Sequence, residues 1–221
     1  LQFDPLDGSG NIDINASIGT IFSIHRRVTR DGEQGSLKDL LQKGRDIVAA
    51  GYVVYGSSNM LVYSTGDQVD GFTYDPGVGE FFLSHPKIRI PERGGIYSIN
   101  EGNYHNWSEG TQRWVDWIKA PGENKKPYRL RYIGAMVADL HRTLLRGGIF
   151  VYPPDVKNKK GKLRLLYEAS PMAFLVEAAG GAASDGTQPI LDIEPKELHQ
   201  RTPVFIGSVA DVEDALRFAN S

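Results

Sequence analysis

The sequence predicts an α/β fold built from two lobes, with mixed sheets packed against helices, and three observations predict it. Between Gly51 and Ser84 short β-rich runs follow one another, cut by Gly, Ser and Asp-Pro-Gly turns, which is the pattern of an antiparallel sheet. Beyond Gly95 the pattern changes to helical stretches alternating with short strands, the mark of an α/β unit. Between them, Pro86 to Gly95 is polar and rich in Pro and Gly, which divides the chain into residues 1–88 and 89–221.

Taken in order, Leu1 to Phe3 reads as the tail of a strand, and Asn15 to Arg27 holds the β-rich run IGTIFSIHRR. Ser36 predicts the cap of a helix running to about Ala50, followed by the strands of the antiparallel sheet. Ile96 to Ile99 predicts a short strand, and Thr111 to Lys119 a helix with Trp114, Trp117 and Ile118 on one side. Ile133 to Arg146 has apolar residues at helical spacing and meets a natural C-terminal cap at Gly147, before the strand GIFVYP. Ser170-Pro171 reads as an N-cap followed by proline at the first helical position. TPVFIGS predicts a strand, and Ser208 with Asp211 opens a last helix.

Composition excludes several classes. In 221 residues, 25 basic and 27 acidic side chains leave a formal charge of −2, so no global field attracts nucleic acid or an anionic membrane. No apolar run has bilayer length and no basic-then-apolar leader opens the sequence, so a soluble, cytoplasmic chain is expected. The absence of cysteine rules out disulfides and thiolate catalysis. There is no GxSxG elbow, Walker loop or GxGxxG, and the five histidines lack zinc spacing.

Three stretches can carry chemistry. In FDPLDGSGN, Asp4 and Asp7 are bracketed by Pro5 and Gly8, so both carboxylates stand on a bend. With the Leu6 carbonyl they offer the oxygen set that Mg²⁺ takes, and the following glycines expose N–H groups to a phosphate; read alone, the same spacing also describes an ordinary exposed turn. In KNKKGKLRLLYE, Lys157, Lys159 and Lys160 read as a solvated loop, whereas Lys162 and Arg164 stand where an alternating strand points them in one direction, an arrangement suited to phosphate. Glu168 follows, either favouring a helix dipole or acting as a distant metal ligand. Asn100 in YSINEGN, with Arg131 and Tyr132 in LRYIGAM, offers an amide, a guanidinium and a phenol, groups that suit a sugar phosphate or ordinary loop hydrogen bonds equally well.

Read together, DPLDGSGNID, SIGTIFSI, AAGYVVYGSSNMLV, YSINEGN, RYIGAMVADLHRTLLRGGIFVYP, GKLRLLYEASPMAFLVEAAGG and LHQRTPVFIGS resemble class I fructose-1,6-bisphosphatase of the bacterial type, in order along the whole chain. The resemblance implies a layered α-β-α-β-α sugar-phosphatase fold, a homotetramer, and Mg²⁺-dependent hydrolysis of the 1-phosphate of fructose 1,6-bisphosphate in gluconeogenesis or the Calvin cycle, with Mn²⁺ as a substitute metal. It implies that Asp4, the Leu6 carbonyl, Asp7 and Glu168 are metal ligands, and that Gly8, Ser9 and Arg164 contact the phosphate removed. Asn100, Tyr132, Tyr152 and Lys162 resemble the cradle of the 6-phosphate, Arg131 reaches a neighbouring subunit's site, Gly134 to Met136 line the sugar, and Arg26 matches a regulatory AMP-pocket residue.

Two departures accompany the resemblance. Gly10 stands where the family usually has a second serine. The family also carries about a further third of chain upstream, with an acidic metal-binding pair and most of the AMP site, so the 221 residues alone are expected to be inactive or nearly so. The alternatives are a non-catalytic sugar-phosphate-binding fragment and a bisphosphatase that also accepts sedoheptulose bisphosphate; the two-phosphate cradle disfavours an inositol monophosphate.

Overall fold

The computed structural model describes residues 1–30, 32, 34–122 and 126–219. Its first unit is a six-stranded sheet whose strands lie in chain order: β1 (Gln2–Asp7), β2 (Ile18–His25), β3 (Ile47–Tyr55), β4 (Asn59–Ser64), β5 (Val69–Asp75) and β6 (Glu80–His85). Every neighbouring pair is antiparallel, as the turn-punctuated pattern predicts. One face presents Ile21, Tyr52, Val54, Met60 and Val62 to the core. On the other face of the sheet, Phe3, Tyr63 and Leu83 are exposed.

The second unit adds β7 (Ile96–Ser98), β8 (Arg129–Leu130), β9 (Ile149–Tyr152), β10 (Leu163–Arg164), β11 (Ala182–Ser184), β12 (Arg201–Thr202) and β13 (Val204–Gly207). Five of them form a mixed sheet in the order β11-β13-β9-β7-β8, while β10 and β12 pair separately. A short α1 (Leu37–Leu40) lies in the first unit; α2 (Glu109–Lys119), α3 (Met136–Arg146), α4 (Ser170–Ala178) and α5 (Val209–Ala219) belong to the second. Helices α3 and α4 are packed between the sheets, where Val137, Leu140, Met172 and Val176 join a cluster with Tyr52 and Ile206. Helices α2 and α5 cover the far face of the five-stranded sheet through Trp114, Val115, Ile118 and Val212. Within β9 the alternation assigns Phe150 to the first cluster and Ile149 and Val151 to the second, so this strand is apolar on both faces. The layers therefore run β-α-β-α, an α/β architecture, and among the described residues no helix is long and apolar enough to cross a membrane.

Several elements differ from their sequence reading. The helix expected from Ser36 to Ala50 does have its capping box, with Ser36 and Asp39 satisfying each other's backbone N–H, but it ends at Leu40. A 3₁₀ turn at Gly44–Asp46 and the β-branched start of β3 take over, and pairing with β2 and β4 outweighs helix propensity there. Ser170 is not an N-cap: Leu165–Ala169 already form a π-helical turn that runs into α4, with Pro171 tolerated in its opening turn. The alternating strand expected around Lys162 and Arg164 is only two residues long, paired with Arg201–Thr202. Asp211 does not close a capping box; its carboxylate accepts from Gly94 N–H at 2.8 Å and Tyr128 Oη at 2.7 Å instead. Helix α3 begins at Met136, three residues later than its apolar spacing starts, and ends as expected at Gly147 with φ +73°.

Candidate active site

The site begins with a phase shift in β1. Asp4 pairs with Ile21 and Asp7 with Gly19, so three steps on β1 oppose two on β2, a β-bulge at Pro5 and Leu6. In a regular strand residues three apart face opposite sides; the extra residue brings Asp4 and Asp7 to the same side. Thr20 Oγ1 holds the bulge by donating to the Pro5 carbonyl at 2.9 Å. Pro5 thus sits in a bulged strand rather than in the turn the sequence suggests, and Gly8 makes the turn with φ +77° before a 3₁₀ turn at Ser9–Asn11.

The second contribution comes from far along the chain, because the π-helical turn folds Glu168 back on the strand before it. Its Oε2 accepts a hydrogen bond from the Arg164 main-chain N–H and lies 3.9 Å from Arg164 Nη1. One oxygen each from Asp4, Asp7 and Glu168 lie within 4.8 Å of one another, with Asp7 and Glu168 buried. Burial, aided by the charges of Asp4 and Asp139, pushes the Asp7 carboxyl up to about 6 against the pull of the Val137 N–H. Burial likewise pushes Glu168 up to about 7, with Asp7 and Asp4 adding to the rise and the Arg164 N–H opposing it. Three crowded carboxylates, of which Asp7 and Glu168 are raised by burial, are all hard oxygen donors and fit a divalent cation.

The remaining expected residues fall into a neighbouring group. Tyr132 stands near Tyr152 and Asp7, and burial first, then those charges, raise its phenol to about 12. Lys162 Nζ lies 5.6 Å from the centre of the Tyr152 ring. Asn100 and Tyr152 line one small hollow with Ile99 and Trp107; the side-chain Oδ1 of Asn100 accepts from Gly102 N–H at 3.1 Å, which leaves the side-chain NH₂ as a donor. Gly134 and buried Met136 follow Tyr132 in sequence, where the loop enters α3. Lys162 and Arg164 thus serve different neighbours, a ring and a carboxylate, because the strand that would align them is so short.

Other expected residues stay apart. The Arg131 guanidinium is exposed and donates to the adjacent Leu130 carbonyl at 2.7 Å. Arg26 is exposed just past β2, its carbonyl accepting from Gln42 Nε2 at 2.9 Å. Three of the histidines hydrogen-bond to neighbouring hydroxyls: His141 with Tyr52 at 2.8 Å, His85 with Ser84 at 2.8 Å, His199 with Tyr167 at 2.7 Å. The sequence reading missed the groups that hold the site: Val137, whose N–H donates to Asp7 Oδ2 at 2.7 Å, and buried Asp139. An acid in the first turn of a helix signals only a favourable dipole contact, so no local signal distinguishes the second.

Residues 1–86 match the family model of the fructose-1,6-bisphosphatase N-terminal domain, and residues 90–220 match that of its C-terminal domain. The chain belongs to the fructose-1,6-bisphosphatase family. It is 60% identical over 219 residues to the class 1 fructose-1,6-bisphosphatase of Chlorobaculum tepidum, covering 99% of this chain and 66% of that protein. The corresponding protein of Persephonella marina is 58% identical, with 99% and 65% covered. The chain thus spans slightly less than two thirds of the length of these relatives. The holo-form crystal structure of Leishmania major fructose-1,6-bisphosphatase superposes with a TM-score of 0.93 at 49% identity, covering 99% of this chain and 68% of that one.

Proposed function

We propose that this family member hydrolyses the 1-phosphate of fructose 1,6-bisphosphate, giving fructose 6-phosphate and phosphate, with Mg²⁺ or Mn²⁺ held by Asp4, the Leu6 carbonyl, Asp7 and Glu168. The observation that carries the reading is the convergence of the Asp4, Asp7 and Glu168 oxygens within 4.8 Å. The cation, when bound, supplies Lewis-acid polarisation of the phosphoryl group and charge for the leaving oxygen. The chain's own groups do the rest. Gly8, Ser9 and Arg164 hold the phosphate being removed, and Asn100, Tyr132, Tyr152 and Lys162 take the remote one, so that binding energy at one end of the sugar orients the other. Gly134 and Met136 flank the sugar between them. The same reading divides the chain into a metal-site lobe, 1–88, and a sugar-phosphate lobe, 89–221, and includes a cytoplasmic homotetramer in which Arg131 serves a neighbouring site. The activity is that of a whole protein of this family, to which these residues contribute the groups just named, and Arg26 belongs to its AMP pocket.

The test is phosphate release from fructose 1,6-bisphosphate by a protein of full family length and verified mass, with Mg²⁺ and with chelator, beside titration with fructose 6-phosphate; the 221 residues alone are expected to release little or none. Metal-dependent release supports the proposal. Fructose 6-phosphate binding that is indifferent to metal, with no turnover in a protein of full family length, sinks it in favour of a binding module. Equal rates on sedoheptulose bisphosphate establish dual specificity.

A further inference from the structure

Strands β7 and β8 carry two parts of the proposed cradle, and their pairing stops just short of it. The parallel ladder matches Ile96 with Arg129 and Tyr97 with Leu130, and a last bond runs from Arg131 N–H to the Tyr97 carbonyl at 3.0 Å. Past that point the two segments part: β7 keeps only its pairing with β9, through Ser98 and Phe150, and runs on to Asn100, while the other runs through Arg131 to Gly134. Loop backbone without a ladder needs other partners if its side chains are to hold one position.

Helix α3 supplies them. Asp139, fully buried in the first turn, accepts from Ile133 N–H at 3.0 Å and Gly134 N–H at 3.2 Å, which fixes the loop after Tyr132. Arg142, one turn on, shares the two N–H groups of Nη2 among three acceptors: Asp139 Oδ1 at 3.0 Å, the Arg131 carbonyl at 3.1 Å and Ser98 Oγ. A single guanidinium therefore joins the segment before Asn100 to the loop bearing Tyr132 where the backbone ladder no longer does. A buried ion pair is weak evidence for stability as such, since its desolvation opposes its attraction. Here each partner of the pair also holds backbone or hydroxyl groups of a second segment, which an apolar pair cannot do.

We propose that Asp139 and Arg142 are positioning residues for the sugar-phosphate cradle, setting Asn100 on one strand end against Tyr132 on the neighbouring loop. The proposal rests on the sugar-phosphate reading of that group. Neither residue touches the substrate. Their role is to fix the spacing of the two walls.

The experiment compares the chain with Arg142→Met, Arg142→Lys and the milder Ser98→Ala, measuring fructose 6-phosphate affinity, Mn²⁺ affinity and amide hydrogen exchange. Arg142→Met is expected to weaken fructose 6-phosphate on the order of tenfold, the scale at which supporting residues act on other sites. Arg142→Lys, which keeps the charge but not the fork, restores part of that loss, and Ser98→Ala shows a smaller one. Mn²⁺ affinity stays unchanged throughout, and exchange at Ser98–Asn100 and at Ile133–Gly134 accelerates together. Wild-type fructose 6-phosphate affinity in Arg142→Met overturns the proposal, as does equal loss of sugar phosphate and Mn²⁺, which marks a general folding role. If Arg142→Met does not fold, unchanged binding and exchange in Ser98→Ala overturn it. A wild-type chain that binds no fructose 6-phosphate removes the sugar-phosphate reading, and with it the proposal, whereas failure confined to the variants removes the proposal alone.

Discussion

The main-chain N–H of Val137 donates to Asp7 Oδ2 at 2.7 Å, so the carboxylate best placed for a metal also satisfies the open N-terminal turn of α3. Helix α3 has no side-chain cap of its own at Ala135. Asp7 thereby fixes the helix that reaches, through Asp139, into the loop bearing Tyr132. Two ends of the candidate site share one rigid element.

Asp7→Asn separates these roles. The amide oxygen still accepts from Val137, and the buried charge whose carboxyl stands near 6 is gone, so the melting temperature in chelator at pH 8 is expected to hold or rise by a few degrees. Mn²⁺ affinity is expected to fall at least about tenfold, since an amide is a poorer ligand than a carboxylate. Calorimetric titration and thermal melts check both. A large drop in melting temperature with unchanged metal affinity makes Asp7 a purely structural cap.

Asp7 and Glu168 also set a pH dependence. Both carboxyls rise on folding, from 3.8 to about 6 and from 4.5 to about 7, so the folded state holds protons that the unfolded chain releases. Their contribution is present below about pH 4 and lost as pH climbs through 6 and 7. Without metal, the stability of wild type relative to an Asp7→Asn/Glu168→Gln double variant is expected to decline between pH 5 and pH 8. Mg²⁺, which needs the ionised ligands, should restore more stability at pH 8 than at pH 5. Melts in chelator and in Mg²⁺ at the two pH values decide it, and a flat relative profile counts against the burial that raises both groups.

Gly8 and Gly10 make opposite demands although they are two residues apart. Gly8 holds φ +77°, and a Cβ there would lie 2.4 Å from the Cβ of Ala135, at the entry to α3. Gly8→Ala is therefore expected to cost upwards of about 1–3 kcal/mol from backbone strain alone, with the contact adding to it. At Gly10 a Cβ would meet nothing within 4 Å. Gly10→Ser restores the family's usual hydroxyl and should leave the melting temperature unchanged or raise it slightly, by restricting the unfolded chain. Thermal melts of the two variants check the contrast.

Local chemistry made much of this legible in the sequence. The alternation and turns of residues 51–84 gave the sheet, and FDPLDGSGN gave the two carboxylates, because strand period and turn residues act over a few positions. What escaped depends on distant partners. The bulge at Pro5 and Leu6 is defined by its register against β2, and the π turn at Glu168 hid behind Ser170-Pro171, a pair that locally reads as a helix start. Asp139 and Arg142 carry no local signal, because the amides, carbonyl and hydroxyl they hold lie outside α3. The early end of α1 likewise follows from sheet pairing rather than from its own well-formed cap.

A second titration runs the other way. Burial against Tyr52, whose hydroxyl lies 2.8 Å from Nδ1, lowers His141 to about 4, with nearby His85 adding to the effect. The unfolded chain takes up a proton near pH 6.5 that the folded one refuses, so the contribution is present above 6.5 and lost as pH falls toward 4. Over that window it amounts to at most about 3 kcal/mol. The carboxylates at the candidate metal site change in the opposite sense over much of the same range, so a raw melting curve of the wild type mixes the two. His141→Gln isolates the histidine, because glutamine can still meet the Tyr52 hydroxyl but does not titrate. The stability of wild type relative to this variant is expected to shrink steadily from pH 7 to pH 4.5, read by urea denaturation at each pH. A constant difference across that range means that His141 takes up its proton in the folded protein at an ordinary pH.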